Sequence, residues 1–273
     1  MRAPESVRTL LAAFDSTDDA GAAVSSIIGA GMIPAAIEMM DALAIEAAEA
    51  AVQCDYPAGA GAVLVVELDG PAAEVEAQFT QVERHCSMAR AFEIRIAADD
   101  VERRLIWRGR KSAFAAVGRI SPDYIVQDGV IPRTALPGVL RRMGELSEER
   151  GLRVANVFHA GDGNLHPLVL FDDTVAGQTE KAEELSAAIL DLCIEHGGSI
   201  TGEHGVGMDK AKHMPLMYSD DDLDTMQLLR CAFDPEHLSN PGKVFPTPRL
   251  CGEVPGRHKG VHPLQQQGLA EVF

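Results

Sequence analysis

The sequence has 273 residues and a formal net charge of −17, and 46% of its residues are hydrophobic while only 5% are aromatic. A chain of this length and apolar content can bury a substantial core, which argues against a disordered protein. The strong negative charge argues against nucleic acid or an anionic membrane surface as a partner. An acidic protein that binds an acidic metabolite must gather positive charge locally, as a metal ion and a few arginines would.

The cysteine pattern and the apolar runs indicate in which cellular compartment the protein is expected. Five cysteines are scattered without CxxC spacing, which argues against an iron–sulfur or zinc site built from them. Their odd number, and an amino-terminal segment unlike a signal peptide, favour a reducing, cytoplasmic setting. No apolar run approaches the roughly 20 residues needed to span a bilayer. A peripheral position at the inner membrane, through partner subunits, stays open.

The first hundred residues alternate predicted strands with predicted helices. Alternating or apolar runs predict strands at 6–14, 33–40, 62–68 and 92–97. Capping residues and alanine-rich runs predict helices at 17–30, 41–53 and 72–87. This order predicts an α+β fold, with a ferredoxin-like antiparallel sheet carrying helices on one face.

The remaining residues predict an extension of that sheet and a helical cap region. Helices are predicted at 99–117, 136–150, 179–195 and 220–233, and strands at 153–158 and 168–171, with an irregular strand at 124–131. We expect one domain over residues 1–246 and a loose tail over 247–273, where proline, glycine and glutamine accumulate. The sequence has no GxGxxG after a first strand and no Walker loop, so it contains no obvious cradle for nucleotide phosphates.

Two short polar runs contain the residues that point most clearly to chemistry. His159 and His166 lie in the glycine-rich run 158–167, and Glu203 and His204 lie in a second glycine-rich run, 201–207. Two imidazoles and a carboxylate are a typical ligand set for a borderline divalent ion such as Zn²⁺. His204 could then act as a base beside the metal. The pattern indicates metal-assisted chemistry on a small polar substrate.

The same residue types also allow simpler interpretations. A histidine near a loop is often only hydrogen-bonded, and Asp162 is a rival oxygen ligand that the spacing does not exclude. Arg110 lies on a highly charged helix, so it is either part of a solvated face or a clamp for a substrate carboxylate, which the planar guanidinium suits. The run 240–243 is either a plain turn or part of a site.

Three separated motifs, at 158–167, 202–207 and 240–245, together resemble a known family. They look like the C-terminal region of FAD-linked 2-hydroxy acid oxidases and dehydrogenases, members of the vanillyl-alcohol oxidase flavoprotein superfamily. The resemblance is strongest to the D subunits of bacterial glycolate oxidases, and D-lactate dehydrogenases are similar. It extends over nearly the whole chain.

The resemblance implies a metal centre and a base. His159, His166 and Glu203 match the positions at which metal-dependent members of the family bind a divalent ion, usually zinc. His204 matches the general base. The implied reaction is oxidation of a 2-hydroxy acid, such as glycolate or D-lactate, with hydride transfer to FAD.

The resemblance further implies contacts with the substrate, the flavin and other proteins. Arg110 falls near a residue that clamps the substrate carboxylate, and Asn240 and Lys243 lie in a closing motif that packs towards the flavin. The implied partners are a small 2-hydroxy acid and the flavin and iron–sulfur subunits of an oxidase complex.

Full-length family members also carry an N-terminal flavin-binding domain of about the same size, and this sequence opens at what resembles the second half. We therefore expect a substrate and cap domain without its flavin domain, inactive as an isolated chain. The alternative is a non-catalytic metal- or carboxylate-binding module that assembles with other oxidase subunits. A metallohydrolase is a third hypothesis, which the three motifs disfavour.

Overall fold

The structure is a computed structural model, and it describes residues 4–246. The expected loose tail at 247–273 lies outside the described residues. The chain divides into two compact units, with the division between Glu203 and His204. Across the described part of the chain, no helix combines the length and the apolar character needed to cross a bilayer.

The first unit is built on a mixed set of strands and helices around one large sheet. Its strands are β1 (Ser6–Phe14), β2 (Ala36–Asp41), β3 (Ala62–Gly70), β4 (Glu93–Ile96), β5 (Asp123–Val126), β6 (Gly129–Val130), β7 (Arg153–Phe158), β8 (Asn164–Leu165) and β9 (Pro167–Phe171). The large sheet has the order β4-β1-β3-β2-β7-β9-β5, and every neighbouring pair in it is antiparallel. β6 and β8 form a separate antiparallel pair.

The helices of the first unit connect these strands, and within residues 204–246 the second unit has two further α-helices. They are α1 (Thr17–Gly29), α2 (Ala42–Val52), α3 (Ala72–Met88), α4 (Asp100–Val117), α5 (Leu136–Arg150), α6 (Gln178–Glu195), α7 (Met214–Met217) and α8 (Asp220–Phe233). Side-chain oxygens cap the N-termini of several of these helices, because the first backbone N–H groups of a helix have no partner within it. Asp41 accepts from Ala44 N at the start of α2, and Asp99 accepts from Val101 N and Glu102 N at the start of α4.

The predicted antiparallel sheet is confirmed, and its first four strands have the order β4-β1-β3-β2 with α1 and α3 as connections, as in a ferredoxin-like domain. The sheet has helices on both faces, so the expectation of helices on one face covers only part of the architecture. α1, α3, α5 and α6 pack on one face, and α2 and α4 on the other. The near-continuous apolar run of β3 is the physical reason, since a strand buried on both faces has no polar alternation.

Alternate residues of β1 show how the two cores are separated. Leu10, Ala12 and Phe14 belong to the core under α1 and α3, and Leu11 and Ala13 belong to the core under α2 and α4. Successive side chains of a strand point to opposite faces, so one strand contributes to both cores.

A glycine lets α4 lie close to its neighbours on that second face. A Cβ at Gly109 would meet the Sγ of Cys54 at 2.5 Å and the ring of Tyr56 at 2.6 Å, so no other residue fits without a shift of the helix. The next residue, Arg110, is thereby buried against the sheet with 6% of its surface exposed.

Candidate metal centre and its surroundings

The first predicted loop folds as a tight connection between β7 and β8. The backbone of His159 pairs with that of Asn164 in an antiparallel bridge, through His159 N–H to Asn164 O (3.1 Å) and Asn164 N–H to His159 O (3.2 Å). Gly163 makes the turn possible, because its φ is +74° and a Cβ there would lie 2.2 Å from the carbonyl oxygen of Ile131. The loop therefore places His159 and His166 on neighbouring segments, with ring centroids 5.1 Å apart.

The second predicted loop is held by a buried aspartate. The carboxylate of Asp128, fully inaccessible to solvent, accepts from Thr201 Oγ1 (2.6 Å), Gly202 N (2.9 Å) and Glu203 N (3.1 Å). A Cβ at Gly202 would lie 2.8 Å from the side chain of Asn164, which shows how closely the two loops approach. This anchoring brings the Glu203 side chain to the histidines.

The distances among the three predicted ligands suit one small cation. The Oε1 atom of Glu203 lies 3.0 Å from His166 Nε2 and 3.7 Å from His159 Nε2. Ligand atoms about 2.1 Å from a tetrahedral ion are about 3.4 Å from one another, so both distances lie near the expected value. Asp128, His166 and Glu203 also each offer a ligand atom within 4.8 Å of those of the other two.

The partners of the two rings fix which nitrogen carries the proton. His159 Nδ1 lies 3.0 Å from Glu38 Oε1, and His166 Nδ1 lies 3.3 Å from the carbonyl oxygen of Gln127. Both partners only accept, so each neutral ring donates from Nδ1 and keeps a lone pair on Nε2. Two lone pairs then face the Glu203 carboxylate, an arrangement that is favourable only with a cation or a proton between them.

Glu38 also connects this centre to Arg110. Its Oε2 accepts from Arg110 Nε (3.0 Å) and lies 2.7 Å from Arg110 Nη2, and both side chains are about nine-tenths buried. The hydrogen bond to Glu38 raises the pKa of His159, and it outweighs burial, which acts in the opposite direction. The surroundings of His159 therefore favour positive charge.

An open cavity of about 370 Å³ lies over His159 and Glu203. It is lined by strand β6 and both loops: Val130, His159, Asp162, Asn164, Gly202 and Glu203. His159 is half-buried, His166 is 1% exposed and Glu203 is exposed. The arrangement leaves the carboxylate and one imidazole accessible from solvent. A small polar molecule of a few heavy atoms fits such a space.

The structure separates the predicted residues into those that converge and those that do not. Glu203 lies near both His159 and His166. Asp162 is exposed at the rim of the cavity, and among the described residues neither Asp162 nor His159 belongs to a group whose ligand atoms all lie within 4.8 Å of one another. Arg110 is not on a solvated face. Its guanidinium meets Glu38, and its predicted contact with a substrate carboxylate stays a prediction.

The predicted base and flavin contacts lie in the second unit, where His204 is the first residue and is exposed. Asn240 and Lys243 lie in a turn whose carbonyl oxygens accept from the Arg230 side chain at 3.1 and 3.3 Å. They line an apolar groove of about 400 Å³ with Phe233 and other residues of the same unit. Their predicted roles stay predictions.

Reasoning from the sequence missed two buried acids, Glu38 and Asp128. Glu38 interrupts the apolar strand β2 and is 8% exposed, and a charged residue in the interior of a buried strand is a signal that sequence inspection could have used. Asp128 lies in the irregular stretch between β5 and β6, where the predicted single strand in fact breaks. Neither residue is near its partners in sequence.

Comparison with known proteins gives consistent matches. The family model described as "FAD linked oxidases, C-terminal domain" matches residues 3–244. The glycolate oxidase subunit GlcD of Escherichia coli K12 is 50% identical over 93% of this chain, and that of Bacillus subtilis 168 is 35% identical over 89%. A mitochondrial D-lactate dehydrogenase [cytochrome] of Arabidopsis thaliana is 26% identical over 87%.

The coverage of these relatives is partial. The chain spans 51% of the E. coli protein, 52% of the B. subtilis protein and 42% of the A. thaliana protein. Among solved structures, a 4-ethylphenol oxidase from Gulosibacter chungangensis has a TM-score of 0.66 at 14% identity, covering 91% of this chain and 55% of that chain. That likeness shows a shared fold.

Proposed function

Because the chain belongs to the family of FAD linked oxidases, C-terminal domain, we propose that it is the substrate-binding and cap half of a flavin-dependent 2-hydroxy acid oxidoreductase of the glycolate or D-lactate type. The flavin would be held mainly by the part of such an enzyme that this chain does not cover. The single observation that carries the proposal is the convergence of His159 Nε2 and His166 Nε2 on Glu203 Oε1.

A divalent ion fits this donor set, and we propose zinc, held by His159, His166 and Glu203. The fit rests on two neutral imidazole lone pairs and one carboxylate that face one another within 3.7 Å, which is the ligand chemistry of a borderline cation. When bound, the ion supplies positive charge that lowers the pKa of a substrate hydroxyl. The ion would also answer the need for local positive charge in a protein of net charge −17.

The remaining steps fall to residues of this chain. His204 would accept the substrate hydroxyl proton on its imidazole, and Arg110 would add positive charge towards the substrate carboxylate. Asn240 and Lys243 would face the flavin, which would supply the redox chemistry as the hydride acceptor. The product is the 2-oxo acid, and the protein contributes positioning and electrostatics.

The first test is metal binding by the chain itself. Zn²⁺-replete protein should retain about one ion after desalting, because all three proposed ligands belong to this chain, and elemental analysis measures it. The double variant His159→Ala/His166→Ala should lose the ion. The matched control is His85→Ala/His196→Ala, which removes two imidazoles outside the cavity. Equal ion content in the two double variants would refute the ligand assignment.

The second test concerns turnover. With FAD added, we expect the isolated chain to oxidise neither glycolate nor D-lactate, because its sequence has no loop that would cradle the flavin pyrophosphate. The same chain combined with a flavin domain should restore turnover. Metal binding that persists while the combined protein stays inactive would favour the alternative, a non-catalytic metal-binding module.

The third test separates His204 from Glu203. The segment around them runs through bends and not through a strand, so simple alternation of side chains does not assign their directions. In an enzyme restored with its flavin domain, His204→Ala should keep the ion and lose roughly 10²–10⁴ in rate, the usual contribution of a general base. Glu203→Ala should lose the ion together with the rate. Loss of the ion from both variants would make His204 a ligand.

A further inference from the structure

Glu38 occupies the junction between the predicted substrate arginine and the proposed metal centre. One oxygen, Oε2, is held by Arg110, and the other, Oε1, lies 3.0 Å from His159 Nδ1. We infer that Glu38 is a positioning residue that sets the tautomer of His159, so that the Nε2 lone pair faces the cavity. The inference deepens the proposed function and rests on it.

The fold explains why Glu38 reaches both partners. It lies on β2 between Ile37 and Met39, which point into the opposite core, so its own side chain points towards α4. β2 also pairs with the end of β7, where Met39 is opposite Phe158, the residue before His159. The carboxylate of Glu38 on β2 thus contacts the guanidinium of Arg110 on α4 and the imidazole of His159 in the loop after β7. Because the strand is rigid, Glu38 defines where the imidazole ring of His159 lies.

The chemistry of Arg110 and His159 determines which atom donates in each contact with Glu38. Arginine has donors and no acceptor, so it needs an oxygen atom from Glu38. The remaining oxygen can only accept, so His159 must donate from Nδ1. Partners of this kind are known to orient metal-binding imidazoles, and their loss typically lowers metal affinity by 10–100-fold. Gln127 acts on His166 in the same way through a backbone carbonyl, which no side-chain substitution removes.

The decisive variant is Glu38→Gln, which preserves size and replaces one oxygen by an amide nitrogen. Arg110 will hold the amide oxygen, because it can only donate, and the amide NH₂ must then face His159 Nδ1. That ring nitrogen becomes an acceptor, the proton moves to Nε2, and the lone pair towards the cavity is lost. We expect Zn²⁺ affinity, measured by competition with a chromophoric chelator, to fall by roughly 10–100-fold.

A second variant distinguishes positioning from damage to the fold. In Glu38→Gln/Arg110→Met the amide is free to turn over and present its oxygen to His159. The Nδ1–H tautomer should return and Zn²⁺ affinity should recover in part, although the protein then carries two substitutions. The matched control is Glu67→Gln, because Glu67 pairs with Arg103 under the same helix and its carboxylate accepts from Arg103, Thr9 and Trp107. This control should keep the wild-type affinity.

The tautomer itself provides a readout that needs neither metal nor activity. Nitrogen-15 spectra of histidine-labelled, metal-free protein, at a pH that keeps the imidazoles neutral, should show His159 as Nδ1–H in the wild type and as Nε2–H in Glu38→Gln. An unchanged tautomer and an unchanged Zn²⁺ affinity in folded Glu38→Gln would overturn the inference, as would a double variant no better than the single one. A wild type that binds no Zn²⁺ would refute the proposed metal centre, while the spectra would still decide the role of Glu38.

Discussion

Two glutamate–arginine pairs lie under helix α4, one buried (Glu38–Arg110) and one partly buried (Glu67–Arg103), and they differ in what else the glutamate contacts. Glu67, on β3, accepts from Arg103 Nε and Nη2, from Thr9 Oγ1 and from Trp107 Nε1, all within 2.8 Å. Glu38, on β2, accepts from Arg110 with one oxygen and contacts His159 with the other. His159 lines the open cavity.

The difference separates a structural ion pair from one tied to a site. At Glu67, two N–H donors from arginine, a hydroxyl and an indole use both carboxylate oxygens, so the group only stabilises the packing of α4 on the sheet. Trp107 is partly buried and packs against the core under α2 and α4. At Glu38 the arginine uses one carboxylate oxygen, and the other oxygen contacts the imidazole of His159. Glu38 thereby connects helix α4 to the proposed metal centre.

The largest expected effect comes from removing the cation of each pair. Arg110→Met leaves the Glu38 carboxylate deeply buried without its guanidinium, and breaking such a pair costs about 3–5 kcal/mol of unfolding free energy. Arg103→Met should cost only about 1–2 kcal/mol, because Thr9 and Trp107 still donate to Glu67. Urea denaturation of both variants measures the difference. Equal losses would mean that the extra donors at Glu67 contribute nothing.

The sequence predicted the elements well where the signal was local. Strand β1 has the predicted bounds, Ser6–Phe14, and helix α8 has the predicted bounds, Asp220–Phe233. The signals are local: an apolar run ends β1, and the capping serine Ser219 directly precedes α8. The predicted strand at 124–131 is wrong in one respect, since it breaks into β5 and β6. The break at Gln127 and Asp128 supplies contacts to His166 and to the Glu203 loop.

The candidate site was predictable to the extent that its residues lie in short motifs. His159, His166 and Glu203 stood out because glycines surround them, and the structure brings them together. Glu38 is 121 residues from His159 in sequence and 72 from Arg110, so only the pairing of β2 with its neighbours reveals its role. Contacts created by sheet topology are not visible in a single sequence.

A third buried carboxylate, Asp41, sharpens the comparison because its hydrogen bonds come from Ala44 and Asn156, neither of which carries charge. Burial raises the pKa of Asp41 to about 6, although these bonds act to lower it. A raised pKa contributes stability below the unfolded-state value of 3.8, and this stability is lost as the pH rises through about 6.

The measurement is the unfolding free energy of the wild type and of Asp41→Asn between pH 4 and pH 7. Relative to the variant, the wild type should lose about 3 kcal/mol over this range, since two pKa units correspond to about 3 kcal/mol. Asparagine still caps α2 through its amide oxygen and does not titrate here. A difference that stays constant with pH would contradict the raised pKa.

The smallest expected effect has the opposite sign and concerns Glu67. Burial acts to raise its pKa, but hydrogen bonds from Arg103, Thr9 and Trp107 prevail and hold the pKa below the ordinary value of 4.5. A lowered pKa contributes stability above the unfolded-state value, and this stability is lost as the pH falls through the folded-state value.

Glu67→Gln should therefore be less stable than the wild type at neutral pH by about 1 kcal/mol, a figure reduced for solvent screening of a partly exposed group. The gap should close as the solution is acidified below the ordinary glutamate range, which is the reverse of the trend at Asp41. A gap that widens in acid would show that the donors around Glu67 do not favour its ionised form, and the distinction drawn between the two pairs under α4 would fail with it.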